Sequence, residues 1–421
     1  MSENNHWVRT TISSNDKSFS KQERVVALDY LRVIAVIVLF FFHLGMIWVP
    51  EWEFHFKQSF NGDWLQNVLM LTSPWRMGLL WFIAGASLNA MQQKKGLLFL
   101  ITRRSNTVLL PLLIGIYFVV PIQLFVEMTQ KQATSVSFLA FLGQFYFGGD
   151  VTDSQFFTGF ESGIWHHIDV NHLWFLRSLW RFTLVLVLLL SLFHSVLSVI
   201  KRSYGHFNVY WFTGLILLSL LSMYIENSDD KRDFYGFICL LCGYCFGLSA
   251  SFWKWLHKYT KPLLLGSVVL TLFYEVGFTL SSSVLDNDVL GDCARLAYYN
   301  AKIVALFAVL ALAHRTFTKP NVYIQKANGY VFPFYVIHQS VLIAVAFWFS
   351  CVFLWPSVAM FFTGLISLII CIVILGLCKY GVVFGVLLGK RAPQSHWSQS
   401  KNAQIVIGVI TLPLALRLIG F

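Results

Sequence analysis

The chain has 421 residues, of which 57% are hydrophobic, 17% aromatic and only 12% charged. This composition excludes an ordinary soluble protein and predicts a multi-pass membrane protein whose backbone polar groups are satisfied inside helices. The net charge of +11 does not indicate nucleic-acid binding, because the basic residues lie in the segments between apolar stretches, as they do in the cytoplasmic loops of membrane proteins.

The apolar stretches predict an all-α fold, a polytopic bundle of ten membrane-spanning helices. These stretches lie near residues 27–48, 66–91, 105–126, 171–198, 208–225, 234–253, 262–281, 295–313, 330–353 and 357–378. Each approaches the roughly 20 residues that a membrane crossing needs. A last apolar run, residues 404–420, is either an eleventh span or a helix that lies on the membrane.

The spans divide the chain into three parts. Residues 1–24 are a polar tail without a signal-peptide pattern, so we expect the first span to act as an uncleaved signal anchor. Residues 25–380 form one membrane domain, and residues 381–421 form a C-terminal tail. If the N-terminus is cytoplasmic, most lysines and arginines fall in cytoplasmic loops and most acids in the opposite loops. The positive-inside rule therefore predicts a cytoplasmic N-terminus.

The first span contains two ionisable residues that share one helix face. Arg32 and His43 are eleven residues apart, which returns a helix to within about 20° and separates the two residues by roughly 16 Å in depth. Ionisable groups inside a membrane indicate a functional site. Asp29 lies one turn before Arg32 and is predicted to pair with it. The alternative is a structural ion pair with a core histidine, which leaves His43 without a role.

Further arginines lie near the ends of the second and third spans. Arg103 and Arg104 precede the third span on the predicted cytoplasmic side, where they suit phosphate groups or merely follow the positive-inside rule. Arg76 opens the second span near the outer surface. It either neutralises an anionic group or extends to the interface, and the second interpretation is slightly favoured.

The predicted outer segments are rich in aromatic and polar side chains. The long loop 127–170 suits sugar binding or simply reflects the aromatic residues of a membrane interface. A polar group at the start of the fourth span consists of His166, His167, Asp169, His172, Trp174 and Arg177. Its spacing fits no standard zinc pattern, so we predict an acceptor-binding surface and no metal.

Three later spans carry further polar residues. Glu275 lies in the seventh span, and it either pairs with Lys302 of the eighth span or lines a path through the protein. Tyr335 and His338 lie one turn apart in the ninth span and are second-site candidates.

The sixth span repeats cysteine every third residue. Cys239, Cys242 and Cys245 lie beside Gly243 and Gly247. Small residues in this pattern favour close helix packing over metal binding.

Several of these motifs, taken in order, resemble membrane acyltransferase family 3, particularly its branch containing glucan biosynthesis protein C. The matching segments are Arg32-x10-His43, Trp81 to Gly85, His172 to Leu176 and Pro333 to Gln339. The resemblance implies a ten-helix enzyme that moves an acyl group, acetyl or succinyl, from cytoplasmic acyl-CoA to an extracytoplasmic glycan or lipid-linked sugar. Relatives often carry a further arginine four residues before the Leu-Pro proline, where this chain has Thr107.

The resemblance also implies roles for individual residues. His43 would be the catalytic histidine, and Arg32, with Arg103 and Arg104, would hold the charged part of the donor. Burial near phenylalanines Phe40 to Phe42 would favour a neutral imidazole, which is suited to take a proton from an acceptor hydroxyl. Acyl-CoA would be a co-substrate, with no bound cofactor, and the setting would be the lipid of a bacterial inner membrane.

Two other functions fit parts of the pattern. A secondary transporter or a lipid or glycan flippase would also contain intramembrane Arg, His and Glu. No inverted repeat or paired discontinuous helices are visible in the sequence. A membrane sensor or scaffold would not need Arg32 and His43 aligned on one face.

Overall fold

The computed structural model describes most of the membrane domain and part of each tail. The described residues are 12–58, 63–95, 97–147, 155–160, 164–165, 167–192, 207–280, 288–350, 352, 355–380, 382–390, 409 and 411–418. Helices make up most of these residues, and the β-structure among them is an isolated bridge between Trp165 and Ile168. An all-helical membrane protein is therefore confirmed.

The described residues contain the following α-helices. In chain order they are α1 Ile12–Met46, α2 Asp63–Met70, α3 Ser73–Lys95, α4 Leu97–Arg104, α5 Leu110–Phe118, α6 Val120–Gln130, α7 Phe138–Phe147, α8 Trp174–Leu192, α9 Val209–Leu221, α10 Ser228–Phe246, α11 Ala250–Lys258, α12 Thr260–Leu280, α13 Asp288–Thr316, α14 Val322–Asn328, α15 Val331–Ser350, α16 Pro356–Tyr380 and α17 Val382–Leu387. A π-helical turn, Ser105–Leu109, joins α4 to α5. The first helix begins at Ile12, so it includes half of the residues predicted as a polar tail.

Eight helical segments of the described chain are long and apolar enough to cross a membrane. They are Val26–Met46, Trp64–Gln93, Phe99–Gln130, Asn171–Leu192, Thr260–Leu280, Val289–Thr316, Val331–Ser350 and Pro356–Cys378. These correspond to eight of the ten predicted spans. The other two differ from the prediction.

The prediction of a single helix over 234–253 is wrong. The chain forms α10 and α11 there, and their axes are bent by 108°. Ser249 has extended backbone angles at the start of α11, and the indole of Trp253 donates to the carbonyl of Gly247, 3.0 Å away. Hydropathy does not register such a break, because the two helices taken together are still apolar enough to be read as one span. The predicted span 208–225 is a shorter helical segment, Val209–Tyr224.

The last apolar run is only partly described. Residues 404–408 lie outside the described residues, whereas 411–418 are helical. The side chain of Arg181 on α8 donates to the carbonyl of Leu418 at 2.9 Å. The side chain of Arg417 donates to the carbonyl of Ile164 at 2.5 Å. The segment 411–418 is thus held by hydrogen bonds to the protein itself.

The chain divides into two compact units. The first contains residues 1–35, 70–94 and 193–328. Within it α3 and α10 approach backbone to backbone, because a Cβ at Gly85 would clash with the carbonyl of Leu240, and one at Gly243 with the carbonyl of Phe82. Cys239 is buried on the same helix. This close approach supports packing as the role of the small residues in α10.

The second unit contains residues 36–69, 95–192 and 329–421. A buried apolar cluster in it brings the end of α1 together with α6, α15 and α16, through residues such as Leu44, Val126, Leu342 and Ala359. This core fixes the end of α1 and thereby the position of His43.

The long segment 127–170 of the second unit, predicted to lie on the outer side, contains an apolar cluster in its described part. Phe141 and Phe145 of α7 are buried against Phe157 and Met128. Phe141, Phe145 and Phe157 of the predicted loop 127–170 are therefore core residues of this segment. Phe147 in the same helix is 87% exposed.

Candidate active site

Two histidines from distant parts of the sequence meet inside the second unit. His43, near the end of α1, and His338 on α15 place Nδ1 and Nε2 respectively 2.9 Å apart. His338 is fully buried, whereas His43 is half-buried. The structure thus brings together two residues that the sequence indicated separately as site candidates.

The partner of His338 determines which nitrogens carry protons. Its Nδ1 lies 2.7 Å from the carbonyl oxygen of Tyr335, and a carbonyl can only accept, so Nδ1 of His338 carries the proton. In a neutral ring Nε2 is then an acceptor. His43 must therefore donate from Nδ1 to His338. This assignment from the hydrogen-bond network leaves the lone pair of His43 on Nε2, the nitrogen that can act as a base.

A third histidine is held in a separate polar network. His172 is buried, and its Nε2 lies 2.9 Å from the carbonyl of Val336, so it donates there. Its Nδ1 accepts from the amide of Gln123 at 2.8 Å. The same amide donates to the hydroxyl of Ser340 at 2.6 Å, and the hydroxyl of Tyr335 donates to the carbonyl of His172 at 2.5 Å. Both nitrogens of His172 have hydrogen-bond partners within the protein, and these bonds connect it to α6 and α15.

Aromatic rings enclose His43 on two sides. Phe54 stacks on it with centroids 6.2 Å apart, and Phe42 meets it edge-on at 5.8 Å. The expectation that all of Phe40 to Phe42 surround His43 is only partly right. Phe40 is buried in the core, but Phe41 is 54% exposed because it points to the other side of α1.

The loop that carries Phe54 is anchored at both ends. Lys57 donates its ammonium hydrogens to the carbonyls of Met46, 2.9 Å away, and Val49, at the C-terminal end of α1. Desolvation lowers the pKa of Lys57, and Glu51 opposes that shift. His55 binds the Glu127 carboxylate of α6 at 2.6 Å. These contacts hold the ring of Phe54 over His43.

Arg32 lies in the first unit within a polar cluster. It contacts the carboxylate of Asp29 at 3.3 Å, which confirms the predicted pair, and it donates to the hydroxyl of Ser87 at 3.2 Å and to the side-chain oxygen of Asn328 at 3.4 Å. The amide of Asn328 donates in turn to the carbonyl of Asp29 at 3.0 Å. The side chain of Arg32 keeps 25% of its surface exposed. The cluster fixes the guanidinium while leaving part of it accessible.

The remaining basic candidates occupy less enclosed positions. Arg103 is exposed at the end of α4, with its guanidinium 5.9 Å from the ring centroid of Phe99, and Arg104 is half-buried. Trp174 and Arg177 are half-buried and three residues apart on α8. The two outer-side candidates thus share one face of α8.

Two candidates in the first unit lie in different settings. Arg76 is only 6% exposed and donates to the hydroxyl of Thr72 at 2.9 Å, so its guanidinium is enclosed by the protein at the start of α3. Glu275 is half-buried on α12, and in the described part of the chain it forms no ion pair with Lys302.

The outer histidines do not form one group. His167 stacks on Phe157 with centroids 4.0 Å apart and binds the carbonyl of Phe145 at 3.0 Å, whereas His172 belongs to the network with Gln123. His166 lies outside the described residues. Among the residues that are described, no three His, Cys, Asp or Glu side chains are arranged to hold a metal ion.

Sequence analysis missed the amide that organises the His172 network. Gln123 is completely buried in α6, and its side-chain oxygen accepts from Gln339 at 3.2 Å. The sequence did contain an indication of this network: a single glutamine lies between Pro121 and Leu124 in an otherwise apolar run. A buried amide needs hydrogen-bond partners, so such a glutamine predicts polar neighbours.

Comparison with known proteins gives one match. Residues 25–376 match the model of a family described as an acyltransferase domain. Searches of curated proteins and of solved structures found no match.

Proposed function

We propose that this chain, which belongs to membrane acyltransferase family 3, moves an acetyl or succinyl group from cytoplasmic acyl-CoA to an extracytoplasmic glycan or lipid-linked sugar. It is an acyltransferase and a multi-pass membrane protein. A bacterial inner membrane and a cytoplasmic N-terminus are part of the proposal, supported by the distribution of basic loops. The resemblance of the motifs to the glucan biosynthesis protein C branch favours a periplasmic glucan as acceptor.

The observation that carries the proposal is the hydrogen-bonded chain from His43 through His338 to the Tyr335 carbonyl. Acyl transfer from a thioester needs a base for the acceptor hydroxyl. Nε2 of His43 takes that proton while the acceptor oxygen forms an ester bond to the acyl carbon. The carbon–sulfur bond breaks, and the leaving sulfur receives the proton from His43 to give the free CoA thiol. The stack of Phe54 and the bond to His338 keep the imidazole in one orientation throughout.

Arg32 is the residue that we propose to hold the charged part of the donor. A guanidinium fixed by Asp29, Ser87 and Asn328 loses little freedom when it binds a phosphate group of CoA. Arg103 and Arg104 at the end of α4 would add positive charge for the same ligand.

The proposal is tested with sealed inside-out membrane vesicles that contain the full chain. Free thiol release from acetyl-CoA and succinyl-CoA added outside is followed together with an acyl label on glycan enclosed in the vesicle lumen or on membrane lipid. We expect thiol release in inside-out vesicles and much less in sealed right-side-out vesicles, with the label on a sugar. No release above that of vesicles without the protein, with candidate glycans supplied, would contradict the proposal. Substrate-driven ion flux without CoA consumption would favour a transporter.

Replacing Arg32 by alanine should weaken donor use without removing the chemistry. We expect KM for acyl-CoA to rise by about 10- to 100-fold, with a smaller change in kcat. This factor corresponds to the binding free energy that is lost with one charge-assisted hydrogen bond. The matched control is Arg232→Ala, because Arg232 also contacts an aspartate three residues away, Asp229 at 2.9 Å, but on a more exposed surface. An unchanged KM in the Arg32 variant would contradict its donor role.

A further inference from the structure

The first unit contains two deeply buried basic side chains that the proposed acyl transfer does not use. Lys302 on α13 is 8% exposed and Arg76 on α3 is 6% exposed, and they are the two cationic side chains of the described chain that are buried to this degree, apart from histidines. No aspartate or glutamate among the described residues is equally buried. Buried charge is costly unless it is compensated.

Three tyrosines surround the ammonium group of Lys302. Its Nζ lies 3.7 Å from the ring centroid of Tyr235, 4.9 Å from that of Tyr299 and 5.6 Å from that of Tyr298. Tyr298 is also within electrostatic range of Arg76. The backbone supports this arrangement, since the hydroxyl of Tyr235 donates to the carbonyl of Lys302 at 3.2 Å. Tyrosine faces attract the cation, but they accept none of its hydrogens as an oxygen would.

Other partly buried lysines of the chain are satisfied differently. Lys390 also lies over a tyrosine, 4.7 Å from the ring of Tyr330, yet it donates to the hydroxyl of Tyr330 at 3.3 Å and to the carbonyl of Cys378 at 3.0 Å. Lys57 donates to two backbone carbonyls. Lys302 is more deeply buried than either, and in the described part of the chain no oxygen accepts from its Nζ. Its three hydrogen-bond donors therefore have no oxygen partner among the residues that the structure describes.

We infer that Lys302, between Tyr235, Tyr298 and Tyr299, binds the phosphate group of an anionic ligand. A phosphate group carries one to two negative charges, so it compensates the buried ammonium group at least as well as a single carboxylate would. Lysine and arginine are both common phosphate ligands. A lipid headgroup and a soluble organophosphate present the same chemistry. This inference does not depend on the proposed acyl transfer, and its test measures binding alone.

The test uses the full chain in detergent micelles, with thermal unfolding followed by tryptophan fluorescence. Inorganic pyrophosphate is added at constant ionic strength maintained with potassium chloride. A ligand that binds only the folded state raises Tm with its concentration. We expect Lys302→Met to reduce the apparent pyrophosphate affinity by about tenfold or more, Lys302→Arg to retain most of it, and the matched control Lys390→Met to leave it unchanged.

The ligand-free proteins provide a second readout. Lys302→Met removes a buried charge that lacks an accepting oxygen, so its Tm without ligand should equal or exceed that of the wild type, whereas Lys390→Met should lower Tm by removing two hydrogen bonds. A fall in Tm for Lys302→Met together with an unchanged pyrophosphate affinity would show that the lysine is structural and would overturn the inference. Lys302→Gln, which keeps a hydrogen-bond donor without the charge, provides the affinity comparison if the methionine variant does not fold.

The source of the phosphate is separated by a lipid arm. Wild type and the Lys302 variants are compared in nanodiscs of phosphatidylcholine with and without phosphatidic acid. If only phosphatidic acid stabilises the protein in a Lys302-dependent way, the ligand is a lipid headgroup. If only pyrophosphate does so, the ligand is a soluble phosphate compound. If both do, the site accepts either source. Absence of stabilisation by both probes in the wild type, or stabilisation that persists fully in Lys302→Met, would overturn the inference.

Discussion

Replacing His43 by alanine should abolish acyl transfer while the protein still inserts and folds. Loss of a general base typically costs about 10²- to 10⁴-fold in rate, and the His43–His338 chain offers no second nitrogen placed to replace it, because His338 is fully buried and its Nε2 faces His43. The measurement is the rate of acyl-CoA-dependent thiol release in inside-out vesicles. Folding is checked by Tm and by the elution profile of the purified protein.

The matched control for this prediction is a histidine with no place in the site. His257 is exposed on α11, so His257→Ala should keep the activity of the wild type. A His43→Ala protein that is folded, equally expressed and still active in the same assay would exclude His43 as the base and would leave the family's activity to other residues.

Hydropathy alone was sufficient to predict the position of most membrane-spanning helices. Eight predicted spans coincide with helical segments of the structure, because a long apolar run in a bilayer has little alternative to a helix. It was not sufficient at Ser249, where the backbone leaves the helix without any loss of hydrophobicity. Such a break depends on local backbone angles and on the bond from Trp253 to Gly247, which composition does not encode.

The sequence identified individual residues of the candidate site, but it did not predict the contacts between them. His43 and Arg32 stand out because ionisable side chains are rare in an apolar helix, and the pair of Arg32 with Asp29 follows from helical spacing. The contact of His43 with His338 joins residues 295 positions apart, and no single-chain periodicity predicts such a pairing. Gln123 escaped notice for the same reason, since its importance comes from the partners it meets and not from its neighbours in sequence.

Arg76 and Lys302 show what the sequence does not predict about basic residues in apolar stretches. Each is a basic residue in an apolar stretch, and the sequence suggested an interfacial position for Arg76 and a possible acidic partner, Glu275, for Lys302. The structure buries both and surrounds Lys302 with tyrosine rings. Sequence can indicate that a charge lies within the membrane, but the groups that compensate it are fixed by tertiary packing.

His338 is predicted to act through His43 as a positioning residue. Its Nε2 accepts the Nδ1 proton of His43, which fixes the tautomer that presents Nε2 of His43 as a base. Replacement by leucine, similar in size but without an acceptor, should lower kcat by about 10- to 100-fold, as is typical when a supporting hydrogen bond to a functional histidine is removed. KM for acyl-CoA should remain unchanged, because donor binding is assigned to Arg32 and not to this histidine.

Two comparisons separate positioning by His338 from a merely structural role. His338→Gln retains a side-chain oxygen that can accept from His43 and should recover part of the lost kcat. The double variant His43→Ala with His338→Leu should be no slower than His43→Ala alone, because residues that act as a unit are strongly non-additive. A structural residue would instead lower Tm and add its own loss to that of His43→Ala. An unchanged kcat in His338→Leu would show that the orientation of His43 is fixed by Phe54 and the backbone without this bond.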